Sequence, residues 1–287
     1  MRGFSNVLLR CTRVFSSNYG FYHYQPNFRW LLIRKLEEEC ILKVGFFITC
    51  LVDMMRPEIG LSAVKLLESA GCSVEVPMQQ TCCGQPAWNS GDAATARSLL
   101  LKFLSDFEHF EAIVAPSGSC VGMVVKHYAD VAKQDTDLSA RVALLSTKVY
   151  ELTDFLYTVL KVQPGQFSGF SGGDSQSFTY HDCCSGLREL GIATQPRSLI
   201  SDNTPHVIRE MPDSRACCGF GGTFSLKYGD ISASICDEKC EGIASTKAGC
   251  VVMGDLGCML NIEGRLRHQG DQTTKVLHVA QVLAGEM

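Results

Sequence analysis

Short apolar runs alternate with stretches of helical periodicity along most of this chain, and such runs predict buried strands. In the first half the predicted strands are Val44–Thr49, Ser73–Val76 and Ala112–Ala115. In the second half they are Ser177–Tyr180, His206–Met211 and Cys250–Met253. The pattern therefore predicts the same series of strands twice.

Between these runs, apolar residues three and four positions apart predict amphipathic helices. The predicted helices are Glu58–Ala70, Asp92–Phe107 with Asp92 as the N-cap, Lys148–Leu160, parts of residues 185–201, Ile231–Ala244 and Asn261–Arg267. Strands that alternate with helices predict βαβ units and parallel sheets. We therefore expect an α/β fold made of two tandem modules.

A stretch rich in glycine and serine, residues 163–176, predicts the linker between the modules. The expected organisation is an N-terminal extension (residues 1–42), a first module (43–162), the linker (163–176) and a second module (177–287).

Composition narrows the function classes. A chain of 287 residues with 46% hydrophobic content can form a large core, so its 15 cysteines are not needed as disulfide staples. The cysteine count is odd and no secretory signal is visible, which indicates reduced thiols. A net charge of −4 gives no basic surface for nucleic acid, and no apolar stretch reaches the length of a membrane span.

The charge is unevenly placed along the chain. Residues 1–35 hold six of the 26 basic side chains and no acidic one, which leaves 20 basic and 30 acidic residues for the rest. An Arg-rich start without acidic residues resembles an organelle transit peptide, and a non-native start is the alternative. We expect a cytoplasmic protein, or a mitochondrial one if the extension is a genuine transit peptide.

The cysteines follow the predicted strands in both halves. One cysteine comes after the first strand, an adjacent pair followed by glycine after the second, and one after the third. These residues are Cys50, Cys82, Cys83 and Cys120 in the first half, and Cys184, Cys217, Cys218 and Cys258 in the second. Because the carboxyl ends of parallel strands meet at one edge of a sheet, four thiols are predicted to converge in each half.

Four thiolates are the donor set of iron–sulfur clusters, and they also suit zinc. Gly84 and Gly219 are expected to let the backbone turn so that adjacent cysteines reach one centre, and nearby amides are expected to donate to sulfur. The remaining cysteines are predicted to pack as small apolar residues: Cys11, Cys40, Cys72, Cys183, Cys236, Cys240 and Cys250.

The chain from about Lys43 onward resembles the cysteine-rich CCG-domain iron–sulfur oxidoreductases, most of all the lactate utilization protein A family. The resemblance is carried by FFITCLVD, QTCCGQPAWNSG, APSGSC, YHDCCSGLRELG, ACCGFGGTFSLK, GDLGCMLNIEGRL and KVLHVAQVLA. The cysteine-rich subunit of heterodisulfide reductase and the iron–sulfur subunits of glycolate oxidase and anaerobic glycerol-3-phosphate dehydrogenase are more distant. The wider pattern ends each module with C-x-x-C, but Met123 and Asn261 occupy the last position here.

The resemblance implies a redox subunit of a system that oxidises L-lactate, a 2-hydroxy acid, to pyruvate. It implies Cys-ligated clusters of the 4Fe–4S type, with zinc in one module as the alternative. It also implies two partners, a ferredoxin-like iron–sulfur protein and a smaller companion subunit. Two other functions stay open: heterodisulfide-reductase-like thiol–disulfide chemistry, and a zinc-stabilised assembly module without catalysis.

No G-x-G-x-x-G follows a predicted strand, so the chain is expected to carry electrons rather than a hydride. If substrate binds at an open iron, His181 and Asp182 are the candidate bases, and Arg188 and Arg197 the candidate carboxylate ligands. The simpler alternatives are a histidine that fixes the strand end by hydrogen bonding, and arginines in ordinary surface pairs.

Overall fold

The computed structural model describes residues 41–170 and 176–287 of the chain. Except for its last two residues, the predicted N-terminal extension lies outside this part, as do Cys11 and Cys40. Residues Lys43–Met287 form one compact unit. This unit holds two four-stranded sheets in which every pair of neighbouring strands is parallel, and it confirms the α/β fold.

The first sheet has the strand order β2-β1-β3-β4. Its strands are β1 (Lys43–Phe46), β2 (Ser73–Glu75), β3 (Ala112–Ala115) and β4 (Val149–Glu151). Val44 of β1 pairs with Val74 on one side and with Ala112 on the other. All four residues of β3 are buried, as expected for a central strand with helices on both faces of the sheet.

The helices of the first module are α1 (Cys50–Met55), α2 (Pro57–Ser69), α3 (Gln85–Asn89), α4 (Ala93–Phe107), α5 (Gly118–Gly122), α6 (Tyr128–Ala132), α7 (Thr136–Ser146) and α8 (Leu152–Asp154). Two π-helical turns, Met123–His127 and Phe155–Val159, follow α5 and α8. The Asp92 carboxylate accepts a 3.0 Å hydrogen bond from the Thr95 N–H, which confirms the predicted N-cap of α4.

The second sheet repeats this order as β6-β5-β7-β8. Its strands are β5 (Ser177–Tyr180), β6 (Val207–Ile208), β7 (Cys250–Met253) and β8 (Lys275–His278). The helices around it are α9 (Cys184–Leu190), α10 (Thr194–Asn203), α11 (Thr223–Lys227), α12 (Gly229–Ser245), α13 (Leu256–His268) and α14 (Val279–Ala284). The repeat read from the sequence is therefore a repeat of topology.

The predicted helix Lys148–Leu160 is wrong in its first part, because Val149–Glu151 forms the edge strand β4. Ile113 of β3 pairs with Val149, so a partner distant in sequence overrides the local helical periodicity. Three predicted strands are also shorter than expected, and Ser73–Val76 loses only its last residue. Val44–Thr49 ends as a strand at Phe46, and only Val207–Ile208 of His206–Met211 is a strand.

The two modules share a core. Val52 of α1 and Ile59 of α2 belong to the same buried cluster as Met259 and Ile262 of α13. At the edge of this contact the Arg56 guanidinium lies 2.7 Å from the Glu263 carboxylate. The helix that begins at Cys50 therefore packs on the helix that carries Cys258.

The described part of the predicted linker is packed against the second module. Phe167 is fully buried, and its N–H donates a 3.0 Å hydrogen bond to Asn203 Oδ1. The Gly165 N–H donates to the carbonyl of Asp202 at 2.8 Å. The start of the segment thus contacts α10, while the four-segment organisation stays a prediction. Within residues 41–170 and 176–287, no helix combines the length and apolar character needed to cross a membrane.

Asp255 connects the modules close to both cysteine sets. One of its buried carboxylate oxygens accepts 3.0 Å hydrogen bonds from the Ser117 hydroxyl and the Ser119 N–H of the first module. The other accepts from the Gly257 N–H at the start of α13. A single carboxylate thereby fixes the start of α13 and the turn that leads into α5.

We expect Asp255→Ala to lower the free energy of unfolding by about 2–4 kcal/mol, because it leaves three donors without their charged acceptor. Urea denaturation under reducing conditions measures this, and Asp53→Ala, at an exposed position, is the control. Equal stability of the two variants would contradict the bridging role of Asp255.

Candidate metal centres

The first set of four thiols lies where β1, β2 and β3 end. Cys50 is the first residue of α1, the pair Cys82-Cys83 occupies the loop after β2, and Cys120 lies in α5 after β3. Neighbouring thiols interact in a chain, from Cys50 to Cys82, from Cys82 to Cys83 and from Cys83 to Cys120. The structure therefore brings together all four cysteines that the sequence groups in this half.

The second set repeats the arrangement. Cys184 begins α9, the pair Cys217-Cys218 follows β6, and Cys258 lies in α13 after β7. The thiols again interact in a chain, from Cys184 to Cys217, from Cys217 to Cys218, and from Cys218 to Cys258. Each module thus carries one cluster of four thiols at the carboxyl end of its sheet.

A glycine turn orients each adjacent pair. Gly84 and Gly219 have φ angles of 88° and 86°, in the left-handed region that favours glycine. The Gly84 N–H donates to Cys82 Sγ at 3.4 Å, and the Gly219 N–H donates to Cys217 Sγ at 3.3 Å. The predicted turn and the predicted amide donors are both confirmed.

Side chains also hold the carbonyl of the second cysteine in each pair. The Tyr128 hydroxyl donates to the Cys83 carbonyl at 2.9 Å, and the Asn261 amide donates to the Cys218 carbonyl at 2.7 Å. Asn261 is one of the two residues that replace the final family cysteine, and it supports the pair instead. The other, Met123, is fully buried in the core of the first module.

The thiols cannot all ionise together without a compensating cation. Hydrogen bonds from Cys50 and Cys83, with help from the Gly84 amide, lower the pKa of Cys82 to about 3. The corresponding bonds from Cys184 and Cys218 lower the pKa of Cys217 to about 2. The neighbours of each anionic sulfur have raised pKa values because of that contact and their burial. A bound cation would favour the fully ionised set.

Cys183 lies beside the second set of thiols, a location that the sequence did not predict. It was expected to pack as an apolar residue, yet its thiol donates to the His181 carbonyl at 3.9 Å and interacts with the thiol of Cys258. The signal in the sequence was the doubled cysteine at Cys183-Cys184, of which only the second was assigned to the set. The second module therefore has a fifth thiol beside its four.

Four other cysteines remain apart from these thiol chains. Cys236 and Cys240 on α12 are buried and interact with each other, and the Cys236 thiol donates to the Asn261 carbonyl at 3.6 Å. Burial raises the pKa of Cys72 to about 11 and that of Cys250 to about 12. Cys72 and Cys250 are therefore buried neutral thiols, and such thiols behave as packing residues.

His181 is buried at the second set of thiols. Its ring is fully buried, and neither ring nitrogen has a hydrogen-bond partner among the described residues. One ring nitrogen and the sulfurs of Cys218 and Cys258 all lie within 4.8 Å of one another. Burial, together with the nearby charge of Lys239, lowers the pKa of His181 to about 3, so the ring is neutral.

Asp182 is paired within the protein. Its oxygens accept hydrogen bonds of 2.6 and 3.0 Å from Arg197, which also donates to Glu210. This engagement argues against Asp182 as a base and against Arg197 as a carboxylate ligand for substrate. Arg188 is exposed on α9.

Lys239 is a residue that the sequence analysis did not single out. It is buried on α12, and its ammonium donates to the carbonyls of Asp213 and Ser214 at 2.6 and 3.4 Å. The charge interacts favourably with Cys218 and Cys217, although burial lowers its pKa. The sequence around Lys239 is that of an ordinary helix and does not predict that this lysine lies near the thiols.

A cavity of about 20 Å³, room for one water molecule, lies between the modules near Cys183. Glu151, Thr153 and Tyr180 also line it. Glu151 Oε2 accepts hydrogen bonds from the Thr153 N–H and hydroxyl and from the Asp154 N–H. Burial outweighs these bonds and raises the pKa of Glu151 from 4.5 to about 7.

The pKa of Glu151 is higher in the folded state than in the unfolded chain. The stability contributed by the protonated carboxyl is therefore full below pH 4.5 and is lost as the pH rises through about 7. We expect the wild type to lose about 3 kcal/mol more stability than Glu151→Gln between these pH values. Denaturation of both proteins across this range measures the difference. Parallel pH profiles would show that Glu151 titrates normally.

Comparisons with known proteins agree with this geometry. The cysteine-rich domain family (CCG) matches residues 44–125 and 178–263, and each range contains one set of four thiols. Lactate utilization protein A 2 of Bacillus cereus (strain Q1) is 41% identical over 243 residues, which cover 85% of this chain and 98% of the relative. Lactate utilization protein A of Oceanobacillus iheyensis is 41% identical over 242 residues, covering 84% of this chain and 96% of the relative.

Proposed function

Because the chain belongs to the lactate utilization protein A family of proteins with two cysteine-rich CCG domains, we propose that it is an iron–sulfur redox subunit. In this proposal it carries electrons in the oxidation of L-lactate to pyruvate. The reaction releases two electrons and two protons, and this chain accepts the electrons.

The observation that carries the proposal is the pair of four-thiol sets at equivalent ends of two parallel sheets. The donors fit a cluster, since four soft thiols meet where backbone amides already donate to sulfur. Cys50, Cys82, Cys83 and Cys120 would hold one centre, and Cys184, Cys217, Cys218 and Cys258 the other. A 4Fe–4S cluster, when bound, supplies one-electron transfer.

The protein's own residues prepare both sites for such a group. The Gly84 and Gly219 amides stabilise negative charge on Cys82 and Cys217, and the ammonium of Lys239 adds positive charge in the second module. Tyr128 and Asn261 hold the backbone of the pairs in place. These contacts favour anionic sulfur in a partly buried site, as an electron carrier requires.

Membership of this family also supports a proposal for the partner proteins and for the cellular location. We propose that the chain works in a complex with a ferredoxin-like iron–sulfur protein and a smaller companion, by analogy with its lactate utilization relatives. The relatives reported above are bacterial, which supports the cytoplasm. They lend no support to the mitochondrial alternative.

The test is reduction by substrate. The complete chain is combined anaerobically with both partner proteins, L-lactate is added, and EPR follows the reduced centres while pyruvate is assayed. We expect an EPR signal and pyruvate with L-lactate, and neither with Cys217→Ser. Reduction of a disulfide substrate without any response to lactate would overturn the proposal in favour of thiol–disulfide chemistry. Bound zinc with no redox response would overturn it in favour of an assembly module.

A further inference from the structure

The ring of His181 is a feature of the second site that binding by the four thiols does not use. It is fully buried, its two nitrogens have no hydrogen-bond partner in the described chain, and it lies among the sulfurs of Cys218 and Cys258. Buried polar groups are almost always paired, so this orientation needs an explanation. A metal ion held by these three side chains would give the ring a partner.

The first module shows that the fold itself does not need an imidazole at this position. Phe47 and His181 each follow the first strand of their module, and their N–H groups donate at 2.9 Å to the carbonyls of Val114 and Val252. The Phe47 ring packs against Phe103 and Phe107 with centroid distances of 5.0 and 5.5 Å. The same backbone position thus holds an apolar ring in one module and a nitrogen donor in the other.

The structure assigns His181 as a nitrogen ligand to iron at the centre of the second module, beside Cys218 and Cys258. This inference rests on the proposed iron–sulfur function and deepens it. The first centre is then held by thiolates alone, and the second by thiolates and one neutral imidazole. Imidazole ligation removes negative charge from a cluster and raises its reduction potential, so the two centres are unequal. Cys183, whose thiol donates to the His181 carbonyl and interacts with Cys258, adds a further thiol beside this group.

Pulsed EPR of the dithionite-reduced full chain, labelled with ¹⁵N-histidine, detects the iron–nitrogen bond directly. The Cys82→Ser variant simplifies the spectrum because only the second centre is expected to remain in it. We expect a strong ¹⁵N coupling in the Cys82→Ser variant and in the His206→Phe control, which alters another buried histidine of the same module. The coupling should be lost in His181→Phe.

His181→Cys provides a second test should the phenylalanine variant fail to fold. It should retain iron, lose the nitrogen coupling and shift the potential of the second centre downward, because a thiolate replaces a neutral ring. Mössbauer spectra of the ⁵⁷Fe-labelled chain check the same point without needing a paramagnetic state.

Iron and sulfide in both modules with no histidine coupling would overturn this inference and leave the proposed function intact. A potential that does not change in His181→Cys would also overturn it. Absence of iron and sulfide from the chain would defeat the inference and the proposed function together.

Discussion

Replacing Cys82 with serine is expected to remove the iron of the first module and to abolish lactate-dependent electron transfer. Cys217→Ser should do the same to the second module. Each of these thiols lies between two others in its chain of interacting thiols and has the lowered pKa of its set. A serine hydroxyl stays protonated at neutral pH and is a poor ligand for iron, so the centre loses its anchoring thiolate.

The matched controls are Cys236→Ser and Cys240→Ser. These thiols are also buried and also interact with a cysteine, but with each other and outside either four-thiol chain. Iron content should stay at the wild-type level in both. Iron and acid-labile sulfide analysis of anaerobically purified protein provides the measurement. Equal loss of iron in all four variants would refute the ligand assignment.

Gly219→Ala should be far more damaging than Gly84→Ala, although the two glycines have the same role and nearly the same φ. At Gly84 an added Cβ makes only ordinary contacts, the nearest being Leu99 at 3.5 Å. At Gly219 it would lie 2.5 Å from the carbonyl oxygen of Ser232 in α12. The Ser232 hydroxyl in turn donates to the Gly219 carbonyl, so helix and turn are tied together.

The left-handed conformation alone costs an alanine about 1–2 kcal/mol, and we expect this for Gly84→Ala. Gly219→Ala should cost about 1–3 kcal/mol more because of the overlap with α12. In Gly219→Ala the second module should also lose its iron, whereas the first module should retain its own. Urea denaturation and metal analysis measure both effects. Equal losses in the free energy of unfolding for the two variants would show that α12 shifts away from the added methyl group without loss of stability.

The cysteine pattern predicts the sites well because parallel topology converts sequence spacing into proximity. Once each cysteine follows a strand of one sheet, the carboxyl ends bring the thiols together. The short, fully buried strands Ala112–Ala115 and Cys250–Met253 were predicted with the bounds that the structure shows. The grouping of the thiols and the assignment of the strands are both well supported, because the same pattern of strands and cysteines occurs in each half.

Other features depend on contacts that no local pattern contains. The strand β4 lies within a segment of helical periodicity, and its pairing with β3 decides its conformation. The link from Asp255 to Ser117 joins residues 138 positions apart. His181 was predicted as a base, and only the packed structure shows that its unpartnered ring lies among thiols.

The central claim is that two sets of four thiols bind iron–sulfur clusters. Metal analysis of the full chain purified without oxygen tests it most directly. The account predicts iron and acid-labile sulfide in comparable amounts, with little zinc. Zinc without iron or sulfide would contradict it.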